Sequence, residues 1–462
     1  MKSILFYTMT INFIKILPLF LGGILFGQNQ QDSLQFRKIA DEILVNGKAY
    51  NDLHDLTKNI GHRLSGSEAY EKSTDWAVEK LKEAGADKVW KEEVTVPVWV
   101  RGKESLHIKS GSGTWKQIRM LSLGNSEGTK GKDVEAEIIF VKDKAAFDNL
   151  SEEQVQGKIV FFNYAFNQKF INTGQAYVDA GIYRRAAASW AGKKGAKAVI
   201  IRSLSSALDD VPHTGMMRYD ADDTTKIPAV AIGPKTADEL ETVLRTKKVF
   251  ARLNSNCTMK GEKKTYTVIG EITGNRDKSV IVVSGHLDSW DLGEGAHDDG
   301  TGIVQSIEVL RTFKNLGLKN NHTIRVVCFA NEENGVRGGN TYADNINNKN
   351  EKHLFAIESD AGGFTPRGIA MVMNDEKRRQ IQSWRKLFEP YGVHNFELQY
   401  AGTDITPMEK LGIPLGELVV DSQRYFDIHH SEEDTFEKVN RRELLLGAST
   451  MAQLIYMIDK NW

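Results

Sequence analysis

The sequence has few cysteines and no excess of charge of either sign. Only Cys257 and Cys328 occur among its 462 residues, which excludes a thiolate zinc finger and a disulfide scaffold. Lys and Arg total 60 and Asp and Glu 61, for a net charge of −1. The basic surplus typical of proteins that bind nucleic acid is therefore missing, and we expect no nucleic-acid partner. Any metal or catalytic chemistry must use His, Asp and Glu.

Long apolar runs are also missing, since a membrane helix needs about 20 apolar residues. The most apolar segment, ILPLFLGGILFG, ends at Gly27 and follows Lys2 and Lys15 without any acid. This pattern is typical of a secretory signal. We predict a signal peptide over 1–27 and a secreted or periplasmic protein without a membrane span after its removal, with an uncleaved anchor as the alternative. The two cysteines are expected to be buried free thiols.

Three regions follow, and they differ in their patterns. Residues 33–125 combine helical stretches with the alternating strand KVWKEEVTVPVWV. In 126–257, short strands alternate with one Ala-rich helical stretch, and we interpret this region as an inserted module in which His213 is the only histidine. From 258 to 462, apolar β-branched strands alternate with helices, which is typical of a mainly parallel sheet covered on both faces. The predicted fold class is α/β, with a mixed, mostly parallel central sheet flanked by helices and a β-rich insert.

Potential metal ligands cluster at the ends of the strand patterns in 258–462. They follow IVVSG, RVVCFA and FAIES and also occur in GEGAHDDGTG and FDIHHSEEDT: His286, Asp288, Asp298, Asp299, Glu332, Glu333, Asp360, His429, His430 and Asp434. Each alone has an ordinary explanation, such as a turn, a helix cap or a solvated charged patch. Together they predict a metal site, because polar side chains at the ends of buried strands are costly unless they are paired or coordinated.

The types of ligand narrow the choice of metal. Imidazoles with carboxylates and no thiolate suit zinc, with manganese, cobalt or iron as alternatives. One catalytic zinc takes three protein ligands, and the candidates exceed that number. Five ligands with one bridging carboxylate would fit two metals about 3.5–4 Å apart.

Ordered segments of the chain resemble a known family. HLDSWDLGEGAHDDGTG, ANEENGVRGG, ESDAGG and HHSEEDT resemble the motifs of the two-zinc exopeptidases of peptidase family M twenty-eight. IGHRLSGSEAYEKSTDWAVEKLKEAGADKVW and AGTDITPMEKLGIP resemble one subgroup of that family, over essentially the whole chain after the signal. The block at 126–257 is similar to the protease-associated domain that this subgroup carries. The resemblance implies two zinc ions per chain, short peptide substrates and a homodimer.

The resemblance also implies residue roles. The metal ligands would be His286, Asp298, Glu333, Asp360 and His430. Asp298 would bridge, with His286 and Asp360 on one zinc and Glu333 and His430 on the other. Asp288 would accept the second N–H of His286 and fix its tautomer, and Glu332 would be the general base. His429 would line the pocket, and Asp299 would support the loop of the bridging aspartate.

The implied activity is hydrolysis of peptide bonds near the ends of short peptides, of dipeptidase, carboxypeptidase or aminopeptidase type. A zinc-bridging water would attack and Glu332 would act as general base. Thr403 and Asp404 are expected to form a wall of the substrate pocket. Many family members have Asp-His where this chain has Asp404-Ile405, so side-chain preference and the peptide end that is read stay open.

Recognition of a peptide end requires a charged partner for its terminus. Arg337, Arg367 and Arg424 are candidates for pairing with a carboxylate, although each also has the ordinary interpretation of a surface or structural arginine. Three alternative functions stay open. A glutaminyl-cyclase-like acyl transferase would use one zinc and release ammonia from an N-terminal glutamine. A non-catalytic peptidase-like binding protein would usually have lost ligands that are present here. Another family of two-zinc amidohydrolases or peptidases is the third.

Overall fold

The structure is a computed structural model that describes residues 17–462, with side chains from residue 30 onward. The predicted signal peptide at 1–27 lies outside the fully described residues, because 1–16 are not described and 17–29 are described only as helical backbone. In the described part of the chain, none of the helices combines the length and apolar character that a membrane crossing requires.

The described chain alternates between helices and strands. The helices are α1 Leu17–Asn46, α2 Ala49–Asn59, α3 Glu68–Glu83, α4 Lys144–Asp148, α5 Glu152–Val155, α6 Thr173–Lys193, α7 Pro234–Leu244, α8 Thr301–Asn315, α9 Arg337–Lys349, α10 Asp375–Ser383, α11 Arg385–Phe388 and α12 Arg441–Asn461. The strands are β1 Lys88–Val100, β2 Glu104–Ser110, β3 Lys116–Ile118, β4 Leu121–Ser122, β5 Val134–Val141, β6 Ile159–Phe162, β7 Ala198–Arg202, β8 Ala229–Ile232, β9 Val249–Ser255, β10 Thr258–Ile272, β11 Val280–His286, β12 Thr323–Phe329, β13 His353–Glu358, β14 Pro366–Val372 and β15 Leu415–Val420. They form two sheets.

The central sheet has the strand order β1-β10-β12-β11-β13-β15-β14. Its four middle strands, β12, β11, β13 and β15, run parallel, and antiparallel strands complete it on both sides. Strands β11 and β12 are buried along their whole length, which explains their unbroken apolar sequence. The α/β class with a mixed sheet flanked by helices is confirmed.

Helix α8 packs against β11 and β12 of the central sheet and against α12, which also contacts the sheet. Ile303 and Leu310 of α8 and Leu444 and Ile455 of α12 are fully buried. Burial of each such side chain stabilises the fold by about 1.5–3 kcal/mol. Both helices therefore contribute to the core. The structure also confirms that the two cysteines are buried free thiols.

The second sheet has the order β3-β2-β9-β5-β6-β7-β8-β4 and is flanked by α6 and α7. It begins at Glu104, where β2 pairs with β9 along seven registered positions from Glu104 to Ser110. The division into 33–125, 126–257 and 258–462 stays a prediction. Because β2, β3 and β4 pair within the second sheet, we propose an insert that begins near Glu104.

A long antiparallel pair connects the two sheets. Strand β1 runs beside β10 from the pair Lys88 and Glu271 to the pair Val100 and Thr258. The chain leaves the central sheet at the end of β1 and returns at the start of β10. The insert therefore starts and ends at one place, beside the edge of the central sheet where the candidate site lies.

Candidate metal centre

The parallel strands bring the predicted ligands to one edge of the central sheet. His286 is the last residue of β11, Glu332 and Glu333 follow the end of β12, and Asp360 follows β13. Since these strands are parallel neighbours, their carboxyl ends meet at the same edge. Residues far apart in the sequence thus converge on a single centre.

The carboxylate of Asp298 lies at the middle of this centre. Its Oδ1 is 3.1 Å from His286 Nε2, and its Oδ2 is 3.1 Å from His430 Nε2. On one side, His286 Nε2 lies 3.3 Å from Asp360 Oδ1. On the other, His430 Nε2 lies 3.1 Å from Glu333 Oε2. Each histidine therefore forms a group of ligand atoms with Asp298 and one further carboxylate, and the two groups share Asp298.

Backbone hydrogen bonds hold the loop that carries Asp298. Asp434 Oδ1 accepts the N–H of His297 at 2.7 Å, and its Oδ2 accepts the N–H of Asp298 at 3.1 Å. The fully buried Arg63 donates from Nε to Leu287 O at 2.6 Å and from Nη1 to Glu294 O at 2.9 Å. Arg63 belongs to the IGHRLSG segment, whose resemblance to the family is the signal that could have indicated its importance. Asp434 and Arg63 therefore hold the loop, and neither belongs to the two groups of ligand atoms.

Asp299 has its two carboxylate oxygens engaged by the backbone. Its Oδ2 accepts the N–H of His286 at 3.0 Å, and its Oδ1 accepts the N–H of Gly302 at 2.9 Å, in the first turn of α8. These bonds tie the end of β11 to the start of α8. This arrangement supports the predicted role of Asp299 in the loop.

The structure differs from the prediction for Asp288. His286 Nδ1 lies 3.0 Å from the backbone oxygen of Asp288, whereas the nearer carboxylate oxygen is 3.8 Å away. That oxygen, Oδ1, instead accepts the backbone N–H of Glu332 at 3.1 Å. The Asp288 carbonyl therefore orients the imidazole, while its carboxylate holds the segment that carries Glu332.

Glu332 differs from Glu333 in its environment. Trp290 donates its backbone N–H to Glu333 Oε1 at 3.1 Å, which leaves Oε2 to face His430. Glu332 makes no such contact within the described residues. Burial raises its pKa to about 8; the carboxylates of Asp360 and Asp298 add to this shift, and His286 opposes it. A carboxyl group with this pKa can exchange a proton near neutral pH.

His429 and His430 both approach Asp298, and their rings stack with centroids 3.5 Å apart. His429 Nε2 lies 3.3 Å from Asp298 Oδ2, close to the 3.1 Å of His430. Only His430 also reaches Glu333. His430 adopts a left-handed backbone with φ of 60°, which is uncommon for a residue other than glycine. The geometry thus favours His430 as the second imidazole ligand.

The insert contributes residues that the sequence analysis did not assign to the site. His213 Nδ1 lies 2.6 Å from the backbone oxygen of His429, and Thr214 donates its N–H to the backbone oxygen of His430 at 2.8 Å. Arg184 of α6 places Nη1 3.4 Å from His430 Nδ1. The histidine pair is therefore held between the two sheets. No local pattern in the sequence marks Arg184, because it is 246 positions from His430.

The two residues predicted to form a wall of the substrate pocket, Thr403 and Asp404, differ in their exposure. Thr403 is exposed, whereas Asp404 is fully buried and donates its backbone N–H to Glu358 Oε2 at 3.1 Å. Burial, followed by the carboxylates of Glu358 and Glu332, raises the pKa of Asp404 well above its usual range. Asp404 is thus buried beside Glu358 and is not exposed to a substrate.

All three predicted arginine candidates contact an acidic side chain. Arg367 pairs with Asp421 at 3.1 Å and Arg424 with Glu443 at 3.3 Å. Arg337 makes a longer contact of 3.5 Å with Glu262 and lines a cleft beside Asn334 and Gly335. Of the three, Arg337 alone belongs to the lining of this cleft.

The donor atoms present fit a metal. At this centre, three groups of side chains bring one ligand atom each within 4.8 Å of one another. They are Asp298 with His429 and His430, His286 with Asp299 and Asp360, and His286 with Asp298 and Glu333. Asp298 Oδ2 is buried and accepts no well-directed hydrogen bond from the described residues. A buried carboxylate oxygen without a donor is costly, and a metal ion would satisfy it.

Comparison with known proteins agrees with this geometry. The family model "Peptidase family M28" matches residues 267–455. Carboxypeptidase Q of Xenopus laevis is 33% identical over 424 residues, covering 90% of this chain and 88% of that protein. The crystal structure of a Peptidase M28 precursor from Shewanella amazonensis has a TM-score of 0.89 and 33% identity, covering 94% of this chain and 98% of that one.

A zinc aminopeptidase from Bacillus subtilis shares the fold, with a TM-score of 0.62, 19% identity and coverage of 88% of this chain and 94% of that one. The match to the family model contains the strands and loops that bear His286, Asp298, Glu333, Asp360 and His430. The chain belongs to peptidase family M28 and is a hydrolase of the metallopeptidase class.

Proposed function

We propose that this protein is an exported exopeptidase that binds two zinc ions and hydrolyses peptide bonds near the ends of short peptides. The observation that carries the proposal is the position of the Asp298 carboxylate, whose two oxygens each lie 3.1 Å from the Nε2 atom of a different histidine. A carboxylate in this position can bridge a pair of metal ions about 3.5–4 Å apart.

The two groups of ligand atoms around Asp298 supply the metal ligands. His286 and Asp360 would hold one ion, and His430 and Glu333 the other, with Asp298 common to both. The donors are nitrogen and oxygen atoms only, a set that suits zinc. Zinc ions in such a site supply Lewis acidity to the reaction. Support for zinc also comes from the fold shared with the zinc aminopeptidase of Bacillus subtilis.

Glu332 is the proposed general base and acid. Its backbone N–H is fixed by Asp288 Oδ1, so its position relative to His286 is set by the adjacent strand. Its carboxylate, unlike that of Glu333, makes no hydrogen bond to the described residues, so it is free to accept a proton from the attacking water and then give it to the leaving amine. Asp288 is a positioning residue, because it acts through the His286 ring and the Glu332 backbone.

The names of the relatives support exopeptidase activity. They include proteins named carboxypeptidase Q and leucine aminopeptidase 2, both of which act at chain ends by name. Export rests on the segment 1–27, and the homodimer stays a prediction.

Zinc-loaded protein assayed against unblocked dipeptides, N-acetylated peptides and C-amidated peptides would test this function. We expect hydrolysis of short peptides that have at least one free end and none of peptides blocked at both ends. Mass analysis of the products would identify the end that is read. Cleavage of doubly blocked peptides at internal bonds would contradict an exopeptidase, and release of ammonia from N-terminal glutamine without peptide cleavage would indicate acyl transfer.

A further inference from the structure

Arg101 is the first residue after β1, at the point where the chain leaves the central sheet. Its Nε donates to Asp291 Oδ2 at 2.9 Å, and its Nη2 donates to Asp291 Oδ1 at 2.6 Å. The side chain of Arg101 is 12% exposed and that of Asp291 is 21% exposed, so salt and water screen this pair little. Because Asp291 lies in the loop after β11, the pair connects the start of the insert to a loop of the metal centre.

One chain of contacts leads from Arg101 to Glu333. Asp291 directly follows Trp290, whose backbone N–H binds Glu333 Oε1 at 3.1 Å. The two parallel hydrogen bonds between Arg101 and Asp291 fix the backbone beside this N–H. The insert also holds the indole ring of Trp290, which packs so closely on Gly124 that a Cβ atom there would clash with it. Glu333 is therefore oriented by a loop that the insert holds in place.

A second chain of contacts leads from Arg101 to His430. Arg101 Nη2 also donates to Thr214 Oγ1 at 3.3 Å, and Thr214 Oγ1 donates to the backbone oxygen of Ser122 at 2.9 Å. Arg101 Nη1 binds the same oxygen of Ser122 at 2.6 Å. The backbone N–H of Thr214 in turn binds the backbone oxygen of His430 at 2.8 Å. His430 has a left-handed backbone with φ of 60°, a conformation that persists only with such support.

The other group of ligand atoms has no such support from the insert. The ring of His286 contacts Asp288, Asp298 and Asp360, all of which lie on loops of the central sheet. Among the hydrogen bonds of the described residues, none joins His286 or Asp360 to residues 101–257. The two groups of ligand atoms therefore depend on different parts of the chain, and one of them depends on the insert.

We propose that Arg101 is a positioning residue for one of the two metal ions, the ion bound by Glu333 and His430. Its contacts with Asp291 and Thr214 hold both ligands in place before the metal binds, so that less conformational freedom is lost on binding. The ion in the other group of ligand atoms is independent of Arg101. This proposal rests on the two-zinc site of the proposed function, and it makes the junction of the insert a part of the metal centre.

The test measures zinc affinities by calorimetry, on full-length protein that has been freed of metal and is titrated with zinc in the presence of a competing chelator. Arg101→Met removes the guanidinium group and keeps an unbranched side chain. Arg202→Met is the matched control. Arg202 on β7 of the second sheet is also buried, and it also pairs with a carboxylate through two nitrogen atoms, that of Asp238. Within the described residues, its side chain makes no hydrogen bond to a loop of the metal centre.

We expect Arg101→Met to lower one of the two zinc affinities roughly 10- to 100-fold, as is typical for the loss of a residue that orients a metal ligand. Its other zinc affinity should match the wild type, as should both affinities of Arg202→Met. Equal losses at both metal positions would assign Arg101 a purely structural role and overturn the proposal. Unchanged affinities in Arg101→Met would overturn it too.

Two ligand variants identify the ion that is affected. In Asp360→Ala, the remaining zinc is bound by Glu333 and His430, and the addition of Arg101→Met should lower its affinity by the same factor. In His430→Ala, the remaining zinc lies in the other group of ligand atoms, and the addition of Arg101→Met should leave its affinity unchanged. The reverse pattern, or equal losses in both backgrounds, would overturn the proposal.

The failure of the proposed function is separable from this result, because the titration involves no substrate. If two zinc ions bind as expected and no peptide is cleaved, the catalytic proposal falls and the role of Arg101 stands. If the wild type binds a single zinc, the two-zinc function falls. A lower affinity for that ion in Arg101→Met, with none bound by His430→Ala, would then still support the role of Arg101, and an unchanged affinity would overturn it.

A second variant covers the case in which Arg101→Met does not melt cooperatively. Arg101→Lys keeps the positive charge but loses the planar fork that binds both oxygens of Asp291. We expect it to lower the same zinc affinity severalfold and to leave the other unchanged. Wild-type affinity at both metal positions in Arg101→Lys would overturn the proposal.

Discussion

Asp434 accepts the backbone N–H of Asp298 at 3.1 Å across 136 positions of sequence. The same carboxylate accepts the N–H of His297, so a residue after the histidine pair fixes the loop that carries the shared ligand. Asp434 is itself fully enclosed, and burial raises its pKa to about 7. The two sides of the metal centre are thus coupled through a residue that is not a ligand.

Removal of this carboxylate should weaken both the fold and the centre. In Asp434→Ala, two buried N–H groups lose their acceptor, at a cost of about 1–3 kcal/mol each. We expect a lower melting temperature and weaker retention of zinc during dialysis against a mild chelator. Asp344→Ala, at an exposed site on α9, is the control and should match the wild type. Unchanged zinc retention in Asp434→Ala would show that the loop is held by other contacts.

The two adjacent histidines should differ in their effect on metal content. His430 faces both Asp298 and Glu333, whereas His429 faces only Asp298. We expect His430→Ala to lose about one of two bound zinc ions by elemental analysis. His429→Ala, the matched control, should keep both. The reverse result would exchange their roles.

Substitution of the proposed base should separate catalysis from metal binding. Glu332→Gln preserves the size of the side chain but removes its ability to accept a proton. We expect kcat to fall roughly 100- to 10,000-fold, with the zinc content and melting temperature of the wild type. Glu433→Gln, at a half-buried site that pairs with Lys438 at 3.1 Å, is the control. A variant that retains near-wild-type kcat would remove Glu332 from the role of base.

Acid should destabilise the fold partly through His353, which lies far from the metal centre at the start of β13. Burial, followed by the charge of Arg325, lowers its pKa from 6.5 to about 4. The unfolded chain binds a proton at this histidine near pH 6.5, whereas the folded chain does not. The contribution of His353 to the free energy of unfolding is therefore complete above pH 6.5. It declines as the pH falls to 4, by at most about 3 kcal/mol.

Melting temperatures measured between pH 7 and pH 4 would check this effect. His353→Gln keeps a polar group beside Tyr342, whose hydroxyl lies 3.0 Å from His353 Nε2, but it does not titrate. Its melting temperature should fall less with acidification than that of the wild type. His394→Gln, at an exposed site, should follow the wild type. Parallel curves for His353→Gln and the wild type would exclude the histidine as a source of acid sensitivity.

Much of the fold and of the centre was predictable because the information is local. The apolar strands ending at His286 and before Glu332 and Asp360 show their own boundaries, and parallel strands necessarily bring such ends together. Asp298 and Asp299 directly precede a helix pattern, and the resemblance to the family assigned one of them to the metals and the other to the loop. No comparable local rule exists for the three-residue strand Lys116–Ile118 or the two-residue strand Leu121–Ser122. The start of the insert therefore stays a prediction, at 126 from the sequence and near Glu104 from the pairing of β2 with β9.

Contacts between distant segments were not predictable in this way. The two-residue spacing of His286 and Asp288 suggests a contact between the ring and the carboxylate, but spacing does not determine the rotamer, and the backbone oxygen takes that position. Arg184 lies in the segment YRRAAA, which has the composition of a solvated helix face. Its burial depends on how α6 packs against the histidine pair, which only the assembled structure shows.

The pairing of Val100 with Thr258 also bears on how such a chain can arise and be altered. The two points where the insert joins the central sheet are opposite one another, as the two ends of a tight hairpin turn would be. A whole module can occupy the place of a short turn there without changing the path of any other strand. The same geometry offers a single junction for exchanging the module with that of a relative. Such an exchange would also replace Arg184, Thr214 and His213, and with them the support of the histidine pair.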